Sequence, residues 1–474
     1  MASAEAVSLF LSSAQLVQGV GLGLRELATT GFFIAGSIAL LCSIALWICA
    51  RVQNPKAISA MLPLGLLLLI CTVSASHAMA RMENRLVLAL LTAVHHLGVA
   101  AWIGAMPFLL LGLKHAGSVD EARTISRRYS RMAMWSAAAL ILAGAGMAWF
   151  YVGSLGGLYG TMYGVLLLAK IYLLLVMAGL GFANWKVVQR LETDPEPLLV
   201  RIRRFAEAEI GLGFTAVLAA ASLTAQSPGV DVSVLDQVTP HEIFARLRPE
   251  VPRMTSPPAD ALTPATPMHV AIQESQFRPM AASDARDRAW SEYNHHWAGI
   301  VVLVAGLLAW LSRLRRIRWT RFWPLCFAGL ALFIVLRADP ENWPLGPRPF
   351  WASFSAPDVL VHRFAALLIL SFAVFECLVQ AGKLRALWPS YVFPVMCVVG
   401  SALLLMHDHA VADVKEELFA GMSHTTIALC GATAGWGRWL ELRLPENRMA
   451  RIASYLWPVF LAAAGLILLN YREM

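Results

Sequence analysis

Apolar runs long enough to cross a bilayer recur from one end of this chain to the other. A helix needs about 20 predominantly apolar residues to span the hydrocarbon, and in lipid every backbone N–H and C=O must be satisfied within the protein. Barrel strands would alternate apolar and polar residues with period two; runs such as GVLLLAKIYLLLVMAGLGF do not. The fold class is therefore all-α, a polytopic transmembrane helical bundle. With 58% hydrophobic and only 14% charged residues, no soluble domain is expected.

The runs fall near 32–50, 58–77, 86–113, 132–153, 160–184, 205–225, 296–312, 322–337, 358–381, 388–407, 420–440 and 452–470, about 12 spans in two six-helix halves. Residues 1–30 precede them as a surface amphipathic segment containing Arg25 and Glu26. A first transmembrane domain covers 31–228. Residues 229–293, including RPEVPRMTSPPADALTPATPM, read as an extended linker. A second transmembrane domain covers 294–474.

Basic residues alternate between the loops. Lys114, Arg123, Arg127, Arg128 and Arg131 follow the third run, Lys186, Arg190, Arg201, Arg203 and Arg204 the fifth, and Arg313, Arg315, Arg316, Arg318 and Arg321 the seventh. The loop YVGSLGGLYGTMYG has none. The positive-inside rule places the basic loops in the cytoplasm, with both termini outside. The formal charge of +8 sits in these loops, so the lipid bilayer is the expected partner and nucleic acid is not. The seven cysteines lie in or near apolar runs, without a CxxC, and read as buried thiols.

On that topology the histidines share one side. His77 ends the second run. His95 and His96 lie in the outer half of the third. His295 and His296 open the seventh, His362 opens the ninth, His407 and His409 close the tenth, and His424 opens the eleventh. His241 and His269 are in the outer loop, and of the 12 only His115 is on the basic side. A single interfacial histidine is commonly structural, but imidazole is also the commonest metal ligand, and ionisable groups within spans default to function. In AVHHLGVAAWIGAMPF, His95, Val99, Trp102 and Met106 share a helical stripe. Thioether with imidazole suits Cu(I) more than Cu(II); a packed stripe with one buried histidine is the competing reading. Asp358 and His362 are i, i+4, spaced for a carboxylate to orient an imidazole. Lys170, in the middle of its run, requires a partner or water; Glu207 and Glu209 begin the next run, nearer the cytoplasm, and a structural pairing and a transport role both stand open. Pro107 and Pro394 mark kinks or breaks.

SHAMA, HHLGVAAWIGAMPFLL, RRYSRMAMWSAAALILAGAGMAW, YGVLLLAKIYLLLVMAGLGFANW and RIRRFAEAEIGLGFTAVLAAASLTAQSP occur in this order. Together they resemble the CopD/PcoD copper-resistance membrane proteins over residues 30–228. In that resemblance His95 takes the position of the family histidine before Trp-x-Gly, and Lys170, Asn184 and Glu209 also match. Ala105 stands where the family often has glycine. The region from WSEYNHHWAG onward resembles the extended part of longer members. The resemblance implies a multi-pass bacterial inner-membrane protein that handles copper at the periplasmic face, takes it from periplasmic copper carrier proteins and passes it inward. Two other classes remain open: a b-type haem redox protein with axial imidazoles, and an assembly scaffold with structural histidines. No P-loop, HExxH, nucleophile elbow or dinucleotide fingerprint appears, so no enzyme is expected.

Overall fold

A chain of such runs satisfies its backbone by winding each run into helix. The computed structural model describes residues 2–19, 21, 23–52, 54–190, 195–257, 285–314, 317–339, 342–354, 357–406, 414–444 and 448–472. Among them, eleven helical segments are long and apolar enough to cross a membrane. The chain divides into two compact units, residues 1–151 and 152–474. This division falls ahead of the fifth and sixth spans, which pack with the second half, rather than in the outer loop.

The first unit holds α1 (Ala2–Gly19), α2 (Leu24–Thr29), α3 (Gly31–Val52), α4 (Pro55–Ser74), α5 (His77–Ala80), α6 (Arg85–Trp102), α7 (Met106–His115) and α8 (Val119–Val152). Asn54 caps α4 by accepting from the Lys56 N–H, with Pro55 pre-set for the first turn. Ala35 and Ala39 of α3 bury against Cys71 of α4. The expected continuous third span is broken into α6 and α7 at 103–105. Two sequence features cause the break. Pro107, at the start of α7, cannot donate to a preceding turn. Gly104 lets the backbone turn back so closely that a Cβ there would stand 2.6 Å from the Ala100 carbonyl oxygen.

The second unit holds α9 (Leu155–Tyr159), α10 (Met162–Gln189), α11 (Pro195–Ala225), α12 (Pro240–Leu247), α13 (Ala285–Ser312), α14 (Pro324–Arg337), α15 (Phe350–Ser353), α16 (Pro357–Gln380), α17 (Val392–Leu405), α18 (Val414–Arg443) and α19 (Arg448–Leu469). Its core interlocks Trp323, Phe327, Phe372, Phe393 and Trp457, with Trp323 edge-on to Phe393 at 5.1 Å.

The eleventh expected span, 420–440, lies in α18, which is not among the eleven candidate spans of the structure. α18 is buried by protein instead. Its Ala428, Ala432, Ala434, Gly435 and Gly437 are all buried, because small side chains let neighbouring backbones approach. α10, α11, α17 and α19 pack around it, and the Tyr172 hydroxyl meets Thr433 Oγ1 at 2.9 Å. Pro394 stands in the first turn of α17, where it starts a helix rather than kinking one.

The described part of the outer loop is structured, whereas composition reads as an extended linker. Thr239 and Glu242 form a capping box that starts α12, with Pro240 in its first turn. The segment then binds back on the second unit. Trp297 Nε1 donates to the Met254 carbonyl at 3.3 Å, and Arg337 donates to Ser256 Oγ.

Candidate functional site

In the first unit, α6 lies on α8. Gly98 approaches Ser136 and Leu140 closely, with 3.0 Å left to each for a Cβ, and the Tyr129 hydroxyl donates to the Trp102 carbonyl at 2.9 Å. This contact brings His95 over Gly144, where its Nδ1 is 3.6 Å from the Cβ position. The His96 ring diverges, its centroid 6.5 Å away and its plane tilted by 59°. Trp102 and Met106 are buried, but the break at 103–105 places Met106 at the head of a separate helix, so the expected stripe is not one rigid surface. The thioether tied to the histidine-bearing part of α6 is Met147: its Sδ accepts from Thr92 Oγ1 at 3.5 Å. Thr92 is one turn before His95 and His96. Spacing within α6 could not show this, because Met147 is on α8. His77 is exposed on α5.

In the second unit, His295 and His296 part company. The Arg253 N–H donates to His296 Nδ1 at 2.7 Å, and His296 Nε2 contacts the Tyr471 carbonyl at 2.8 Å. A carbonyl only accepts, so Nε2 carries the proton and Nδ1 accepts. Both nitrogens are engaged with backbone, and His296 is placed as a structural clamp rather than as a ligand. His295 Nδ1 lies 2.8 Å from the Ser291 carbonyl, which by the same reasoning puts the ring lone pair on Nε2.

His295 also meets a histidine from another helix. Its ring centroid is 6.0 Å from that of His424, and the Tyr471 ring stacks on His295 at 3.9 Å and lies 5.9 Å from His424. α18 begins at Val414, so His424 sits nearly three turns inside the helix rather than at its mouth. It is buried.

His362 donates from Nδ1 to Asp339 Oδ1 at 2.9 Å. Among the described residues the carboxylate that orients His362 is Asp339, just past α14. The Asp358 side chain lies outside the described residues, as do His269, His407 and His409. Asp339 is buried, and its Oδ2 has no hydrogen-bond partner among the described residues. Lys170 has no ion pair among the described residues. Of the two readings of Lys170, the structural pairing with Glu207 or Glu209 is not seen among the described residues. Glu207 is held by Arg204 at 2.5 Å and Arg443 at 2.9 Å. Glu209 lies beside Gly181, about three turns along α10 from Lys170.

The opposite end of this unit holds a charge network that periodicity did not single out. Arg313 pairs with Glu441 at 2.5 Å, Arg438 with the same carboxylate at 2.8 Å, and Arg438 with Glu376 at 3.2 Å. Trp457 Nε1 also donates to Glu441, at 2.8 Å. Glu376 is completely buried. Its sequence signal is a lone carboxylate in the apolar run SFAVFECLVQ. The described second unit thus carries imidazoles toward one end and paired Arg and Glu toward the other.

Among the described residues, no group of three or more His, Cys, Asp or Glu side chains converges as a metal cage. The His295–His424 pair is the described place where imidazoles from separate helices come within ring contact.

Residues 123–223 match the family model of copper resistance protein D, CopD. Over this stretch, about a fifth of the chain, the sequence is similar to the CopD copper-resistance family. The stretch runs from α8 through α9 and α10 to the end of α11, and so includes Lys170, Asn184 and Glu209. His77, His95, His96, Trp102 and Met106 precede it, and the remaining candidate histidines follow it. Comparison with curated proteins gives no match. The chain is a multi-pass helical membrane protein, one stretch of which is similar to copper resistance protein D.

Proposed function

We propose that this protein binds copper as its cargo at the imidazole-bearing end of its helices and passes it across a bacterial inner membrane, without catalysing a chemical step. The observation that carries this reading is the CopD match over 123–223. The donor chemistry of the second unit supports it. Two imidazoles bound to one ion at about 2 Å each hold their ring centroids about 6 Å apart when the N–metal–N angle is wide, and His295 and His424 stand at 6.0 Å. Two nitrogen donors in a buried setting suit a soft ion of low coordination number, Cu(I), better than one that requires four or more ligands. In the first unit, His95, Met106 and Met147 supply further imidazole and thioether. Delivery by a periplasmic copper carrier belongs to the same reading.

The test is copper content and an optical spectrum on detergent-purified protein loaded with Cu(I) under reducing conditions. Wild type is compared with His295→Ala/His424→Ala, His95→Ala and His407→Ala/His409→Ala. The reading expects stoichiometric copper, no haem absorption, and loss of copper in the His295/His424 double variant. Loss only in His95→Ala or in the 407/409 variant would move the site. A haem band would reassign the protein to redox chemistry, and no copper in wild type would leave an assembly scaffold. His296→Ala serves as a control: it should lower stability by about 1–3 kcal/mol, since two buried backbone groups lose their partner, while leaving copper content unchanged.

A further inference from the structure

α12 carries large apolar side chains on its outer face. Phe244 is 69% and Leu247 61% exposed, and Val234 and Leu235 just before the helix are 81% and 85% exposed. In the same helix Ile243 turns inward, packing with Val165, Val238, Leu418 and Phe419. A short helix in water would gain by placing polar residues where Phe244 and Leu247 stand.

The height of α12 accounts for the pattern. Several ties hold the segment against the ends of long helices, among them the following. The Val238 N–H donates to the Gly160 carbonyl at 3.1 Å, two residues before α10 begins. Glu242 pairs with Lys415 in the first turn of α18 at 2.8 Å. Asn470 Nδ2, one residue past α19, reaches the Arg246 carbonyl at 3.5 Å. α10 and α19 are both candidate spans. The start of one and the end of the other mark where apolar side chains give way to polar ones, which is where the hydrocarbon ends. α12 lies at that level.

We propose that α12 is an interfacial helix, docked on the surface of the surrounding bilayer with Phe244 and Leu247 inserted among the upper acyl chains. An amphipathic helix lying in the interface buries its apolar face at the headgroup–acyl boundary. The exposed Arg248 at its end is placed to meet lipid phosphates. The outer segment is thereby fastened twice, by its polar ties to the bundle and by its apolar face to lipid.

A nitroxide at Phe244→Cys, and separately at Leu247→Cys, tests this in nanodiscs of phosphatidylethanolamine and phosphatidylglycerol, with the unsubstituted chain labelled in parallel as background. Both side chains point outward, so the variants should retain the wild-type fold, checked by their elution. The expected result is a shift of the saturation response toward apolar oxygen over a water-soluble nickel chelate at both positions. A response dominated by the chelate would show the face in water and overturn the proposal. Loss of collision with both reagents would show a protein covering, such as a second copy of this chain, and would overturn it equally.

Discussion

At the residue scale, burial decides how much each charge matters. Arg438 is 6% exposed and its partner Glu376 fully buried. Removing one member of such a pair strands the other in a low-dielectric setting and costs about 3–5 kcal/mol, whereas replacing both with apolar residues is often tolerated. Arg438→Met should therefore lower the thermal midpoint sharply, and Arg438→Met/Glu376→Leu should recover part of the loss; a double-mutant cycle by thermal unfolding measures both. The Glu242 pair behaves differently because it is partly solvated. Its hydrogen bond from Lys415, with those from Thr239, pulls the carboxyl down from 4.5 to about 2. A folded-state value below the unfolded one means the contribution is present above about pH 4.5 and is lost as pH falls toward 2. Lys415→Met should flatten that part of the stability-versus-pH curve, read by denaturation between those limits. Sequence spacing could nominate His295 and His296 equally. Only partners far along the chain, Arg253 and Tyr471 for one and His424 for the other, separate a clamp from a candidate ligand.

At the element scale, close helix contacts rest on glycine. α13 and α19 meet where a Cβ on Gly299 would stand 2.6 Å from the Leu469 nitrogen, and one on Gly306 2.6 Å from the Ala462 nitrogen. The neighbouring atoms are backbone, so an added methyl must push the helices apart. Gly306→Ala should cost about 1–3 kcal/mol, as overpacking does, and should loosen the Trp457 region of the core; near-ultraviolet dichroism and thermal unfolding read the two effects. The helices themselves were legible as apolar runs. The break between α6 and α7 was legible only as Pro107, because the run stays apolar through Gly104 and hydropathy does not register a missing Cβ. α18 reads from sequence as one more span, since composition does not distinguish a helix facing lipid from one surrounded by other helices.

At the scale of the whole molecule, the second unit separates two chemistries along its length. His295 and His424 lie in the first halves of α13 and α18, while Arg313, Arg438 and Glu441 lie at their far ends. The positive-inside rule predicts that the Arg-bearing end faces the cytoplasm. A membrane-impermeant maleimide should accordingly label Leu235→Cys from the periplasmic side of intact cells and leave Arg318→Cys unlabelled until the membrane is opened. Labelling in the reverse order would invert the topology and place the imidazoles toward the cytoplasm.

The sequence by itself determined what depends on transfer from water to lipid: the helical class and the approximate span positions. Those properties are additive along the chain and can be read locally. The pairing of His295 with His424, the choice of Asp339 for His362, the isolation of Lys170 from nearby carboxylates, and the burial of Glu376 against Arg438 were decided by the tertiary structure alone. Each depends on which helices become neighbours, and that is set by small-residue contacts and ring packing between residues far apart in the chain.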